Sequence, residues 1–236
     1  AENGGVTMEF EWIKIPYSLL TLFIVVNYGL LMTAFIRKIA ARVGRRHGIP
    51  VWQNYIDMFK NYSIRTSITH GVMFYLGPVF RLSGGVGLIL FVPTIYGSVM
   101  FSNMSFAGDL ILALYFVFFG TLGMALGAGE SGHPHSAIGV SRGLSQVTAA
   151  ELPFALAVFS VALQYETLSI TEIVAAQQGG ILNWTLFTNP VAVVAAMLGF
   201  LGSMMRSPFD VVLAPQEVPI GPPTEYHSSY LALMQT

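Results

Sequence analysis

Cysteine is absent from all 236 residues. Disulfides, thiolate-bound zinc and a cysteine-held iron–sulfur cluster are therefore excluded within the chain, and any electron carrier must sit on another subunit. Charge is scarce too. Asp, Glu, Lys and Arg supply 10% of the residues, against about 25% in a typical soluble domain. Glycine-rich phosphate loops, nucleophile–base pairs, haem-type paired histidines, internal repeats and low-complexity tracts are all missing. His133-Pro134-His135 has the look of half a metal site, but no third ligand stands at suitable spacing. The expectation there is loop hydrogen bonding and no metal. Nucleic-acid binding has no support outside one basic loop.

What the chain does have is apolar length. Hydrophobic residues make up 54% of it and mean hydropathy is +0.64, which predicts an all-α, multi-pass membrane protein. Five segments read as spans, at about 16–36, 69–96, 110–128, 144–163 and 186–205, with 231–236 entering a sixth. The first is uncharged from Pro16 to Ile36, roughly 31 Å at helical rise. Acidic Glu9 and Glu11 precede it and Arg37-Lys38 follow it, the reverse of a cleaved signal peptide. The whole chain, 1–236, reads as one integral membrane domain.

Basic residues set the orientation. Seven of the eleven Lys and Arg lie in one loop: Arg37, Lys38, Arg42, Arg45, Arg46, Lys60 and Arg65. Alternating spans put Arg142 and Arg206 on the same side, and leave Lys14 opposite with Glu2, Glu9, Glu11, Glu166 and Glu172. The expectation is an N-terminus outside and cytoplasmic loops at 37–67, 129–143 and 206–227, in the cell's inner (cytoplasmic) membrane.

In the first of these loops Trp52, Tyr55, Ile56 and Phe59 recur at three- and four-residue spacing, with Gln53, Asp57 and Lys60 on the other face. Two readings stand side by side: a surface helix whose basic neighbours meet anionic lipid heads, or a dock for a cytoplasmic subunit. In the third loop Ser207 can cap a helix, Pro208 suits its first position, and Asp210 completes a capping box. Pro215 would end that helix after about two turns. Beyond it Gln216–Pro223 should be irregular and stiffened by proline. Three carboxylates, Asp210, Glu217 and Glu225, follow directly on an apolar segment, a costly placement unless they face a cavity or a partner.

Glu151 stands inside a predicted span, with Pro153 two residues later freeing the Ala149 carbonyl. Arg142 and Gln146 share a helical face, whereas Glu151 lies nine residues from Arg142, on roughly the opposite side. Glu151 is read as a proton-relay carboxyl, or else as a protonated group held by a neighbouring helix. Arg81 either pairs with such a carboxylate or snorkels. His70 and His227 are weaker candidates for proton shuttles.

Together these residues resemble a family. Arg206-Ser-Pro-Phe-Asp210, followed by Glu217 and Glu225-Tyr226, is similar to the Arg-Ala-Pro-Phe-Asp…Glu…Glu-Tyr signature of the complex I membrane subunit that adjoins the hydrophilic arm (subunit 1/H). Arg142, Gln146 and Glu151 repeat the family's spacing, as do Arg46-His-Gly48-Ile-Pro50 and Gln53, Asp57, Lys60. The likeness runs from about Ile36 to Tyr226. After Asp210 the acidic stretch of quinone-reducing members reads Val212-Leu213-Ala214-Pro215-Gln216-Glu217, which resembles instead the membrane anchors of archaeal energy-converting NiFe hydrogenases and sulfane-sulfur reductases.

The resemblance implies a non-catalytic membrane-anchor and coupling subunit of a ferredoxin-linked respiratory complex. Alternatives are the quinone-binding subunit of a true complex I and a stand-alone ion transporter. Glu130, Arg142, Gln146, Glu151, Arg206, Asp210, Glu217, Glu225 and Tyr226 would carry coupling to proton or sodium movement. Arg37, Lys38, Arg45, Arg46, Gln53, Asp57 and Lys60 would dock the arm. The chain would hold no cofactor itself. Iron–sulfur clusters, with or without a NiFe centre, are expected on partners: a NiFe-type large subunit and a cluster-bearing small subunit, beside antiporter-like membrane subunits and the lipid bilayer. The family subunit is longer, so the expectation is either that further C-terminal helices are missing or that the subunit is split.

Overall fold

The computed structural model describes residues 12–65, 70–98, 100–205, 208–212 and 221–235. Those residues form helices and no strand: α1 (Lys14–Val43), α2 (Gln53–Ser63), α3 (Val72–Phe91), α4 (Asp109–Glu130), α5 (Pro134–Tyr165), α6 (Ile170–Ala176), α7 (Thr185–Thr188), α8 (Pro190–Ser203) and α9 (Ser228–Gln235). Four of them, α1, α3, α4 and α5, are long and apolar enough to cross a membrane. The protein is a multi-pass helical membrane protein.

The fifth predicted span is shorter than its apolar run suggested. α8 has 14 residues, roughly 21 Å, against about 30 Å of hydrocarbon. Asn189 breaks the segment: its side-chain oxygen accepts from the Ala192 N–H at 3.2 Å and Pro190 takes the first helical position, so a new helix starts there. The fourth span differs the other way. The predicted loop 129–143 is mostly helix, because α5 starts at Pro134 with the His133 ring accepting from the His135 N–H at 3.2 Å. Hydropathy rises only at Leu144, while the helix already runs through the polar stretch before it.

Glycine sets how closely the spans pack. A Cβ on Gly77 would stand 2.7 Å from Gly127 Cα, and one on Gly123 2.8 Å from the Arg81 nitrogen, so α3 and α4 meet backbone to backbone. Against α8, α5 closes the same way: a Cβ on Gly202 would lie 2.7 Å from Ala150 Cβ. The result places the start of α3, the end of α4, the start of α5 and the end of α8 at one end of the bundle. That end also carries the C-terminal half of α1, with α2 and α9 packed alongside.

Candidate functional site

The site forms around one residue at that end. Phe74 lies in the first turn of α3, where a helix N–H has no intrahelical acceptor. Glu130, the last residue of α4, supplies one: its Oε2 accepts the Phe74 N–H at 2.6 Å. The carboxylate crowds so close to Gly71 that any Cβ there would collide with it. The Phe74 carbonyl is also orphaned, because the residue four places on is Pro78, which has no N–H. The Tyr226 hydroxyl takes that role, donating to the Phe74 carbonyl at 2.9 Å. The rings of Phe74 and Tyr226 stack at 4.2 Å and 7°, and the His70 ring lies 4.5 Å from the Phe74 ring at a tilt of 49°. Both polar groups of one backbone residue are thus held by side chains from elsewhere in the chain.

Tyr226 is buried beside a carboxylate. Burial, and secondarily the charge of Glu130, push its phenol well above the usual tyrosine range. It belongs to the buried cluster of Phe74, Met124, Ala128, Val212 and Met234, so the chain at 221–227 is seated on the bundle. A Cβ on Gly139 would lie 2.8 Å from Pro222 and one on Gly143 2.8 Å from Val212, so only glycine leaves room for these two residues on α5. Ser136 donates to the Ala128 carbonyl at 2.7 Å and lies 3.4 Å from the Pro222 carbonyl. Between these groups the enclosed space is about 10 Å³, lined by Met124, Val147, Met205 and Val212 among others, room for one water at most.

Gln146 anchors the other end of the loop. Its Nε2 donates to the Gly202 carbonyl at 3.0 Å, at the end of α8, and to the Phe209 carbonyl at 2.6 Å. Its Oε1 is buried with no donor among the described residues. This corrects the capped helix expected from Ser207: residues 208–212 form a turn and a bend and are not helical. The Phe209 carbonyl is taken by Gln146 and Val212 is drawn into the core, so local helix signals yield to tertiary contacts. Asp210 is exposed in this stretch and caps no helix among the described residues.

Of the residues read from sequence, the fold brings Glu130, Gln146, Glu225 and Tyr226 to this end. Glu225 Oε1 lies 3.9 Å from His133 Nε2. Arg142 lies one turn before Gln146 on α5 and is half-buried. Glu151 stands about 7.5 Å further along the same helix by its rise, half-buried, without a hydrogen-bond or ion-pair partner among the described residues. Arg206 and Glu217 lie outside the described residues. Arg37, Arg45, Arg46 and Lys60 are exposed and Lys38 half-exposed, around the end of α1 and along α2. Gln53 and Asp57 bond each other at 2.7 Å. His133 and His135 stand with rings 5.2 Å apart, and among the described residues no three His, Asp or Glu side chains converge. Sequence reading missed Phe74, Ser136 and the His133–Glu225 contact. Only Phe74 left a trace, in Pro78 four residues downstream.

A family model described as NADH dehydrogenase matches residues 15–236. Among solved structures, the chain is similar to a subunit of the membrane-bound sulfane sulfur reductase, an archaeal respiratory membrane complex. The two share 30% identity at a TM-score of 0.83, over 94% of this chain and 72% of that one.

Proposed function

Since the chain belongs to the NADH dehydrogenase family, among membrane subunits of the complex I subunit 1/H type, we propose that it anchors and couples a complex-I-related respiratory complex of the sulfane-sulfur-reductase or NiFe-hydrogenase type. In this reading the chain catalyses no redox step. It seats a hydrophilic arm on the loop 206–227 and the basic residues Arg37, Lys38, Arg45 and Arg46, with that end facing the cytoplasm. The clusters, and any NiFe centre, belong to the arm. Antiporter-like subunits stand beside it in the cell membrane.

The observation that supports coupling is the clamp on Phe74. A shift of the loop would draw Tyr226 off the Phe74 carbonyl and expose a backbone group that Pro78 cannot satisfy. It would also change the surroundings of Glu130, which holds the N–H of the same residue. The loop and the bundle therefore cannot move independently. This is a hypothesis of a bistable element biased by charge: redox change in the arm moves the loop, Glu130 and Gln146 respond, and Glu151 passes the change to a neighbouring subunit.

Purification through a tag on this chain, followed by identification of the co-purifying subunits and an assay of electron acceptors, tests the assignment. The expected result is a cluster-bearing, NiFe-type arm that takes electrons from ferredoxin and reduces sulfane sulfur or protons. Inhibitor-sensitive quinone reduction would instead place the chain in a quinone-reducing complex. Ion transport by the isolated chain in liposomes would overturn the subunit role altogether.

A further inference from the structure

Helix α2 is built inside out. Asn54 donates to the Leu30 carbonyl of α1 at 2.7 Å, and the Tyr55 hydroxyl donates to Asn27 Oδ1 at 3.0 Å. Asp57 is satisfied by Gln53, and Asn61 is half-buried. The polar residues therefore turn toward the protein. The apolar stripe turns away: Trp52, Ile56 and Phe59 are 65%, 54% and 75% exposed. The three- and four-residue spacing predicted Tyr55 on this stripe, but its hydroxyl draws it to α1.

Depth decides what can cover the stripe. Asn27 and Leu30 lie within the uncharged stretch from Pro16 to Ile36. Leu30 is six residues short of Ile36, about 9 Å along the helix. After α1 ends at Val43 the chain thus doubles back beside its apolar half before α2 begins. A water-soluble subunit does not reach that level, whereas acyl chains fill it. At the rim, Arg45, Arg46, Lys60 and Arg65 are all exposed, and Asp57 is the one acidic residue on α2. Cations on that edge match lipid phosphates.

We propose that α2 is an interfacial lipid-facing helix. Trp52, Ile56 and Phe59 sit among the acyl chains of the leaflet on the basic side, and Lys60 and Arg65 hold anionic phospholipid headgroups. Only α2's surface is concerned, so the proposal can fail while the coupling role stands.

The test uses the intact complex in proteoliposomes, with W12F/W184F leaving Trp52 as the chain's one tryptophan. Both replaced side chains are exposed, at 77% and 50%, so the fold is not at risk. Emission of this chain's Trp52 is separated from that of its partners by subtracting a matched W12F/W52F/W184F sample. Acyl-brominated lipid should quench more than half of the Trp52 emission, and aqueous iodide almost none. In mixed vesicles, brominated phosphatidylglycerol should quench more than brominated phosphatidylcholine, and K60Q/R65Q should abolish that preference. Iodide quenching without bromine quenching would overturn the proposal by placing the stripe in water. Protection from both quenchers would overturn it in favour of a covering protein. Equal quenching by the two lipids would overturn the headgroup assignment.

Discussion

At the scale of single residues the molecule turns on how one backbone carbonyl is satisfied. Tyr226→Phe keeps the stacked ring and removes only the donor to Phe74, leaving a buried carbonyl unpaired at about 1–3 kcal/mol. Adding Pro78→Ala supplies an N–H four residues on. The double variant should therefore recover part of the loss in a thermal-stability assay, and equal losses in both backgrounds would show that the hydroxyl acts elsewhere. The same residue gives a pH dependence. Because the folded phenol is raised, the native state holds its proton after the unfolded chain has lost it. That stability is complete below about pH 10 and is lost as pH rises further. Stability of Tyr226→Phe should fall less steeply than that of the native protein above that pH. The clamp was half legible in sequence. Glu130 and Tyr226 were marked by resemblance, but their meeting point was not, because it needs α4, the loop and the first turn of α3 brought together.

At the scale of elements, hydropathy located the four long helices of the described residues and misplaced the ends of α5 and α8. It starts α5 late, since a polar stretch can be helical when Pro134 and the His133 side chain fix its first turn. It makes α8 too long, since apolar residues on both sides of Asn189 hide the break. The loop after α8 was misread because Ser207, Pro208 and Asp210 carry a real local signal for a helix, while Gln146 and Val212 hold the chain otherwise. Gln146→Leu removes both donated bonds at once. The fold should survive, because α5 and α8 still pack through Gly199 and Gly202, yet amide exchange should rise at 209–212. Unchanged protection there would mean that the burial of Val212 alone holds the loop. Gly123→Leu acts differently. It forces α3 and α4 apart where their backbones touch, and should cost several kcal/mol, read as lost yield of folded protein in detergent.

At the scale of the whole molecule, a short polar cluster sits at one end of a glycine-packed bundle, and a single carboxyl, Glu151, lies deeper along α5. Composition made the membrane class plain, and the order of the motifs made the family plain. The link between loop and bundle was not legible, because it consists of contacts between residues as far apart as Phe74 and Tyr226. The most direct measurement of coupling compares electron transfer and ion pumping in the reconstituted complex carrying Glu151→Gln. Electron transfer to the acceptor should continue while ions pumped per electron fall at least tenfold. Pumping that stays tied to electron transfer at the native ratio would contradict a coupling role for Glu151.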